Sequence, residues 1–304
     1  MKRVLVTGSN GLLGQKLTSL YTQVKDIELI ATGKGPDRYP YKKDYTYASL
    51  DITNEQDVME LISRYKPDTI IHTAAMTNVD QCETEKEACR KLNVDAVSYL
   101  IHAANANGSH LIHLSTDFIF DGTSGPYAED DEAKPLSYYG WSKLDAENLV
   151  KEKANSWAIV RTILVFGIVA DMSRSNIVLW AKGALESGKE LNVVDDQFRS
   201  ATLAEDLAMG CRLIEQKQAQ GIYHISGKDY MSVFELVSRV AAFWNLPTDN
   251  LNRSTSAGIN QAAQRPPKTG FILDKAVHDL AYNPHSFEEG LAVLDAQLKG
   301  DLTL

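Results

Sequence analysis

Short apolar runs alternate with longer stretches in which apolar residues recur every third or fourth position, and this alternation holds through the first half of the chain. Residues 4–6, 29–31, 69–72, 110–114 and 158–165 are apolar almost throughout, as strands covered on both faces are. The segments between them carry helical spacing. Leu13, Leu17 and Leu20 share one face of a helix expected over residues 12–24. Residues 55–65 follow Thr53-Asn54-Glu55-Gln56, which reads as a capping box. Residues 86–107 form a long, Ala-rich helical stretch. The pattern predicts an α/β fold of Rossmann type, a doubly wound parallel sheet joined by right-handed crossovers.

The second half is less regular. Helices are expected over residues 177–185 and 203–214, with a returning strand at 221–226. Ser232-Val233-Phe234-Glu235 and Ser286-Phe287-Glu288-Glu289 each read as the start of a helix. Residues 246–270 are rich in Pro, Asn, Ser and Gln without periodicity and read as a long loop. With no clean linker, the expected organisation is interleaved. Residues 1–165 plus about 200–228 make the dinucleotide-binding domain, and about 166–199 plus 229–304 a smaller C-terminal substrate-binding lobe.

Composition narrows the function classes. The chain has 304 residues, 44% hydrophobic and 23% charged, with net charge −9. That balance suits a soluble globular protein, and the acidic excess without a basic cluster argues against nucleic acid as a partner. Cys82, Cys89 and Cys211 lack metal or redox spacing and fit buried thiols in a reducing compartment. The apolar run after Met1 ends within three residues at Thr7-Gly8, too short for a signal peptide, and no window is long enough to span a membrane. The expectation is a cytoplasmic protein with no membrane contact.

The chemistry begins at Thr7–Gly14, T-G-S-N-G-L-L-G, between the first strand and the first helix. Gly8 suits a tight turn, Gly11 a close approach to a pyrophosphate, and Gly14 close packing of helix on sheet. The helix start offers free N–H groups and a positive dipole end to phosphates. Lys34 lies twenty residues past Gly14, where NAD-binding sheets carry an acidic residue. Lys34, with Arg38 near it, would attract a 2′-phosphate, so NADPH is expected to be preferred over NADH. The bland alternative for Lys34 is a solvated loop lysine.

Further on, a buried strand delivers Ser115, Thr116 and Asp117 to its carboxyl end, the edge at which open α/β sheets bind ligands. In S-Y-Y-G-W-S-K, Tyr139 and Lys143 are four residues apart on a predicted helix. Tyr21/Lys25 and Tyr39/Lys43 share that interval, but Tyr39 precedes a proline and Tyr21 lies on the glycine-loop helix. Tyr139/Lys143 alone combines a helix, a neighbouring hydroxyl and the right sheet edge.

T-G-S-N-G-L-L-G, H-T-A-A-M-T-N-V-D, L-S-T-D-F-I-F-D-G and Y-G-W-S-K together resemble the extended short-chain dehydrogenase/reductases, and among them the dTDP-4-dehydrorhamnose reductases. The likeness covers most of residues 1–210. It implies NADPH-dependent reduction of a nucleotide-linked 4-ketosugar, with Thr116, Tyr139 and Lys143 as the catalytic set. Tyr139 would protonate the developing alkoxide, Thr116 would hold the same oxygen, and Lys143 would tune the phenol and hold the nicotinamide ribose. Moving a phenol from about 10 to about 7 requires roughly 4 kcal/mol, which the ammonium would help supply.

The resemblance also places Gly8, Asn10, Gly11, Leu12, Leu13, Gly14, Lys34, Asp51, Ile52, Thr73, Ala74 and Ala75 at the cofactor, together with Tyr139 and Lys143. Asp117, Ile163 and Arg199 would join Thr116 at the substrate. Ile163-Leu164 stands where the reductases usually carry a Trp. Arg199 matches either a diphosphate-binding arginine of related enzymes or a structural ion pair. Asn93 matches a family helix Asn, or is a plain helix-face amide. Members often dimerise, so a homodimer is implied. Some bind Mg²⁺ between subunits, but no ligands are assignable here. An epimerase, and a non-catalytic NADP-binding regulatory subunit like that of methionine adenosyltransferase, remain as alternatives.

Overall fold

Val4, Leu5 and Val6 have no exposed surface, and their side chains go to opposite faces of one sheet. That two-sided burial is why the early strands read as unbroken apolar runs. The computed structural model describes residues 1–41, 44–170, 172, 175–258 and 262–301. In chain order the first half comprises β1 (Lys2–Thr7), α1 (Leu12–Tyr21), β2 (Ile27–Gly33), β3 (Thr46–Ser49), α2 (Glu55–Tyr65), β4 (Thr69–His72), α3 (Val79–Thr84), α4 (Lys86–Arg90), a π turn (Lys91–Asp95), α5 (Ala96–Asn107), β5 (His110–Thr116), α6 (Tyr138–Lys153) and β6 (Trp157–Thr162). There follow β7 (Val165–Phe166), α7 (Ile177–Glu186), β8 (Leu191–Val194), β9 (Phe198–Ser200), β10 (Thr202–Leu203), α8 (Ala204–Lys217), β11 (Gly221–His224), β12 (Tyr230–Ser232), α9 (Val233–Phe243), β13 (Leu251–Ser254), α10 (Asp274–Leu280) and α11 (Phe287–Lys299).

Seven strands form one parallel sheet in the order β11-β6-β5-β4-β1-β2-β3. The order reverses between β1 and β4, the switch point at which such sheets open a crevice. α1, α8 and α10 cover one face through Leu17, Leu207, Cys211 and Leu280. α2, α5 and α6 cover the other through Val58, Ile62, Leu100 and Val150. The expected Rossmann-type sheet is what the chain forms.

A separate apolar cluster joins α7, β8, α9 and α11 through Val178, Leu191, Leu236, Val240 and Leu291. α10, by contrast, packs Ala276 and Leu280 into the sheet core beside α8. Among the described residues, no helix is long and apolar enough to cross a membrane.

Several elements differ from the expectation. The helix expected over residues 86–107 is interrupted by the π turn at Lys91–Asp95. α2 is capped by Asn54, whose side chain accepts from the amides of Gln56 and Asp57, rather than by a box headed at Thr53. The run 158–165 is no single strand: β6 stops at Thr162, Leu164 turns with φ 40°, and β7 pairs separately with β10. β13 lies inside the expected loop and pairs in parallel with β8. Edge strand β3 escaped notice because it is four residues long and half-exposed, so it lacks a buried run.

Candidate active site at the carboxyl edge of the sheet

The glycine loop closes on itself by contacts that exclude any side chain. Gly8 has φ +71°, and a Cβ there would lie 2.8 Å from the Ala74 amide. A Cβ on Gly14 would lie 2.2 Å from the Gly8 carbonyl, so α1 can start this close to β1 only with glycine. Thr73 donates from Oγ1 to the Thr7 carbonyl at 2.6 Å, locking the end of β4 beside the loop. Leu12, Leu13 and Gly14 form the first turn of α1, where N–H groups have no helical acceptor. The cap, Gly11, has no side chain to occupy them. This cradle fits a pyrophosphate.

The next turn of the crevice is held by Asn10. Its Nδ2 donates to the Pro36 carbonyl at 3.0 Å, and its Oδ1 accepts from the Arg38 amide at 2.9 Å. Asn10 thus ties the loop after β2 to the glycine loop. Lys34 and Asp51, expected at the adenosine end, meet each other at 2.7 Å, with Lys34 largely exposed. The Lys34 ammonium holds the Asp51 carboxyl down at about 2, helped by Thr53. Ile52 is buried among Leu5, Ile30 and Val58, and Ala74 packs at the rim of the same core. Ala75 is half-buried on the loop after β4.

Tyr139 and Lys143 both lie on the buried face of α6. Ser137 caps that helix by accepting from the Gly140 amide at 3.2 Å. A Cβ on Gly140 would lie 2.2 Å from the Phe118 carbonyl, so glycine at this position lets α6 rest on the turn that follows Thr116. The Tyr139 ring packs edge-on against Phe118 at 5.7 Å and lies with Cys82 and Cys89. Its phenol lies beside the Thr116 side chain. The Thr116 hydroxyl donates to Asp117 Oδ1 at 3.1 Å and accepts from the Phe118 amide at 3.2 Å. The Thr116 hydroxyl and the Asp117 carboxyl are therefore joined at the end of β5, with the phenol beside them.

Electrostatics here differ from the expectation. Burial pushes the Tyr139 phenol above its ordinary value, the neighbouring Thr116 hydroxyl pulls it down, and Asp117, Cys82 and Cys89 raise it. The Lys143 ammonium is engaged elsewhere, donating to the Leu114 carbonyl at 2.6 Å with His113 Nε2 at 3.3 Å. Burial also lowers Lys143 to about 8 against the pull of Glu147 and Cys89. In this state the lysine does not make the phenol acidic. The phenol keeps its proton.

Asp117 is buried, and burial raises its carboxyl above the usual range against the opposing pull of Arg199. Thr269 donates to its Oδ2, and Arg199 Nε stands 3.9 Å away. The remaining Arg199 nitrogens donate to the carbonyls of Phe198 at 2.7 Å, Pro266 at 2.7 Å and Pro267 at 3.1 Å. Of the two alternatives for Arg199, the structure places it in the buried structural role. Ile163 is 1% exposed and packs with Ile119, Phe120, Tyr127 and Phe271, so its side chain is core rather than a surface a sugar could touch.

Asn93 is no plain helix-face amide. From the π turn it donates to the Met76 carbonyl at 3.1 Å and accepts from the Met76 amide at 2.8 Å. It also donates to Ser142 Oγ at 3.1 Å. Sequence reasoning missed Thr269, the Asp80–Arg265 ion pair at 2.8 Å, and the buried pair His72 and His113. Asp80 sits in the T-N-V-D of the recognised motif, a signal that could have pointed to a long-range partner. Among the described residues, no cluster of His, Cys, Asp and Glu is arranged to hold a metal.

The family described as RmlD substrate binding domain matches residues 1–299. The methionine adenosyltransferase 2 subunit beta of Danio rerio is 33% identical over 87% of this chain and 81% of its own length. The dTDP-4-dehydrorhamnose reductase of Aggregatibacter actinomycetemcomitans is 31% identical over 96% of this chain and 97% of its own. The crystal structure of dTDP-4-dehydrorhamnose reductase from Bacillus anthracis in complex with NADP superposes with a TM-score of 0.83, 28% identity, and coverage of 98% and 100% of the two chains.

Proposed function

Because the chain belongs to the RmlD substrate binding domain family, we propose that it reduces the keto group of a nucleotide-linked 4-ketosugar with NADPH, dTDP-4-dehydro-L-rhamnose being the leading substrate. The observation that carries the reading is the Tyr139 phenol set beside Thr116 at the carboxyl edge, on the same crevice as the glycine cradle. When bound, NADPH supplies the hydride for such a reduction. Gly8, Gly11 and the first turn of α1 would receive its pyrophosphate, Thr73, Ala74 and Ala75 would floor the crevice, and Lys34 would meet the 2′-phosphate.

The chain's own residues handle the substrate oxygen. The Thr116 proton is committed to Asp117. A carbonyl oxygen placed between the two hydroxyls would accept from both, and donors already held by the fold cost little to order at the moment of reaction. Tyr139 then passes its proton to that oxygen as negative charge develops. A phenol kept protonated by burial is in the right state to do so. Lys143 lies one turn further along α6 than Tyr139, and its charge would stabilise the phenolate left behind. Asp117, freed of the Thr116 proton, would face the sugar, and the α7–α9–α11 lobe would close on the nucleotide side.

The test is NADPH oxidation with dTDP-4-dehydro-L-rhamnose. Tyr139→Phe is expected to lower kcat by roughly a thousandfold while cofactor still binds. Near-normal turnover by that variant refutes the assignment. The identity to the methionine adenosyltransferase beta subunit favours a second reading, an NADP-binding regulatory subunit. Its signature is an inactive wild-type chain that binds NADPH and co-purifies with a partner enzyme.

A further inference from the structure

Two buried histidines stand behind Lys143 and take no part in the chemistry derived above. His113 has no exposed surface and His72 is 2% exposed. They are register partners on β5 and β4, with rings stacked at 5.4 Å. Each presents one nitrogen to a functional neighbour. His72 Nδ1 lies 2.7 Å from Thr7 Oγ1, beside the glycine cradle, and His113 Nε2 lies 3.3 Å from Lys143 Nζ. His113 Nδ1 is buried with no hydrogen-bond partner. Buried ring nitrogens are seldom left unpaired, and an apolar side chain would fill the same space without that penalty. What a leucine could not supply is the nitrogen that faces the lysine.

We propose that His113 is a positioning residue for Lys143: its Nε2 accepts a hydrogen bond from the ammonium and, with the Leu114 carbonyl, fixes the amine in place and keeps it charged. The inference rests on the catalytic reading of Lys143 given above. For Nε2 to accept, the ring must be neutral with its proton on Nδ1. Burial, then Lys143, then His72 hold His113 well below its ordinary value, which secures that state. Of the titratable groups around Lys143, Glu147 on its own helix and Cys89 on α4 favour its charge against burial, while the rings of His113 and His72 act on it from β5 and β4. With Lys143 already lowered to about 8, loss of one acceptor would bring its deprotonation into the neutral range.

The experiment follows the ε-carbon of Lys143 by NMR in ¹³C-lysine-labelled full-length protein without cofactor, the signal being assigned by its loss in Lys143→Met. In His113→Leu the titration midpoint is expected to fall by about one pH unit. In His113→Gln, whose Oε1 can accept the same hydrogen bond, it is expected to stay within a few tenths. The alkaline limb of kcat/KM should move with the midpoint. An unmoved midpoint in His113→Leu overturns the inference. A midpoint that falls while the limb stays supports the hydrogen bond and overturns the catalytic reading of Lys143. If His113→Leu fails to fold, His113→Met, a weak acceptor, takes its place with the same expectation.

Discussion

Thr269 and Asp117 lie 152 positions apart in the chain, yet the threonine hydroxyl donates directly to the buried carboxyl at the end of β5. The contact is made by residues 266–271, which run from the Arg199 guanidinium to a bridge between Tyr127 and Phe271. A segment from the C-terminal third thereby completes a wall of the site, and Asp117 receives a hydrogen bond on each oxygen.

Thr269→Val keeps the volume and removes that donor. A buried acceptor left unsatisfied costs about 1–3 kcal/mol, so urea unfolding should show a loss of that size. Released on one side, Asp117 would also position Thr116 less well, and kcat is expected to fall by roughly ten- to a hundredfold with little change in cofactor affinity. Unchanged kcat in a destabilised protein would confine Thr269 to a structural role.

Lys34 is exposed and already paired with Asp51. Exposed ion pairs contribute little, so a 2′-phosphate can draw the ammonium away from the carboxylate. Lys34→Ala is expected to lower the NADPH-to-NADH ratio of kcat/KM by about tenfold. If NADH is preferred before the substitution, the assignment to Lys34 is wrong.

His72 makes stability depend on pH in a defined direction. Burial, reinforced by Lys143, lowers its pKa to about 3. The unfolded ring takes a proton near the ordinary 6.5, while the native ring resists until near 3. The stabilisation is therefore complete above 6.5 and is lost as pH falls through that window, by at most about 1.4 kcal/mol per pH unit for this group. Urea midpoints measured from pH 8 to pH 4 should fall accordingly, and His72→Asn should flatten the slope. An equally steep slope in His72→Asn would assign the acid sensitivity to other groups.

The parts of the site legible in the sequence are those built from neighbours in the chain. The glycine loop, the end of β5 and the Tyr139–Lys143 helix each sit within one strand-turn-helix unit, so spacing and periodicity locate them. The pieces that were not legible depend on pairings between distant segments. Nothing near Thr269 announces Asp117, and Arg199 looked available to a phosphate until the carbonyls of Pro266 and Pro267 closed around it. Ile163 depends on the same kind of pairing: a residue after a strand can face a ligand or the core, and here it packs against Phe271. The π turn within residues 86–107 leaves the helical apolar spacing nearly intact, so the sequence does not announce it. Electrostatics proved least legible, since a tyrosine–lysine interval says nothing of a carbonyl that intercepts the amine.

The carboxamide of Asn93 grips Met76 by both its amide and its carbonyl and touches Ser142, the residue before Lys143. The segment after β4 and the helix that bears Tyr139 are therefore tied by one carboxamide. When either wanders thermally the other travels with it, so errors in their separation do not accumulate along the intervening chain.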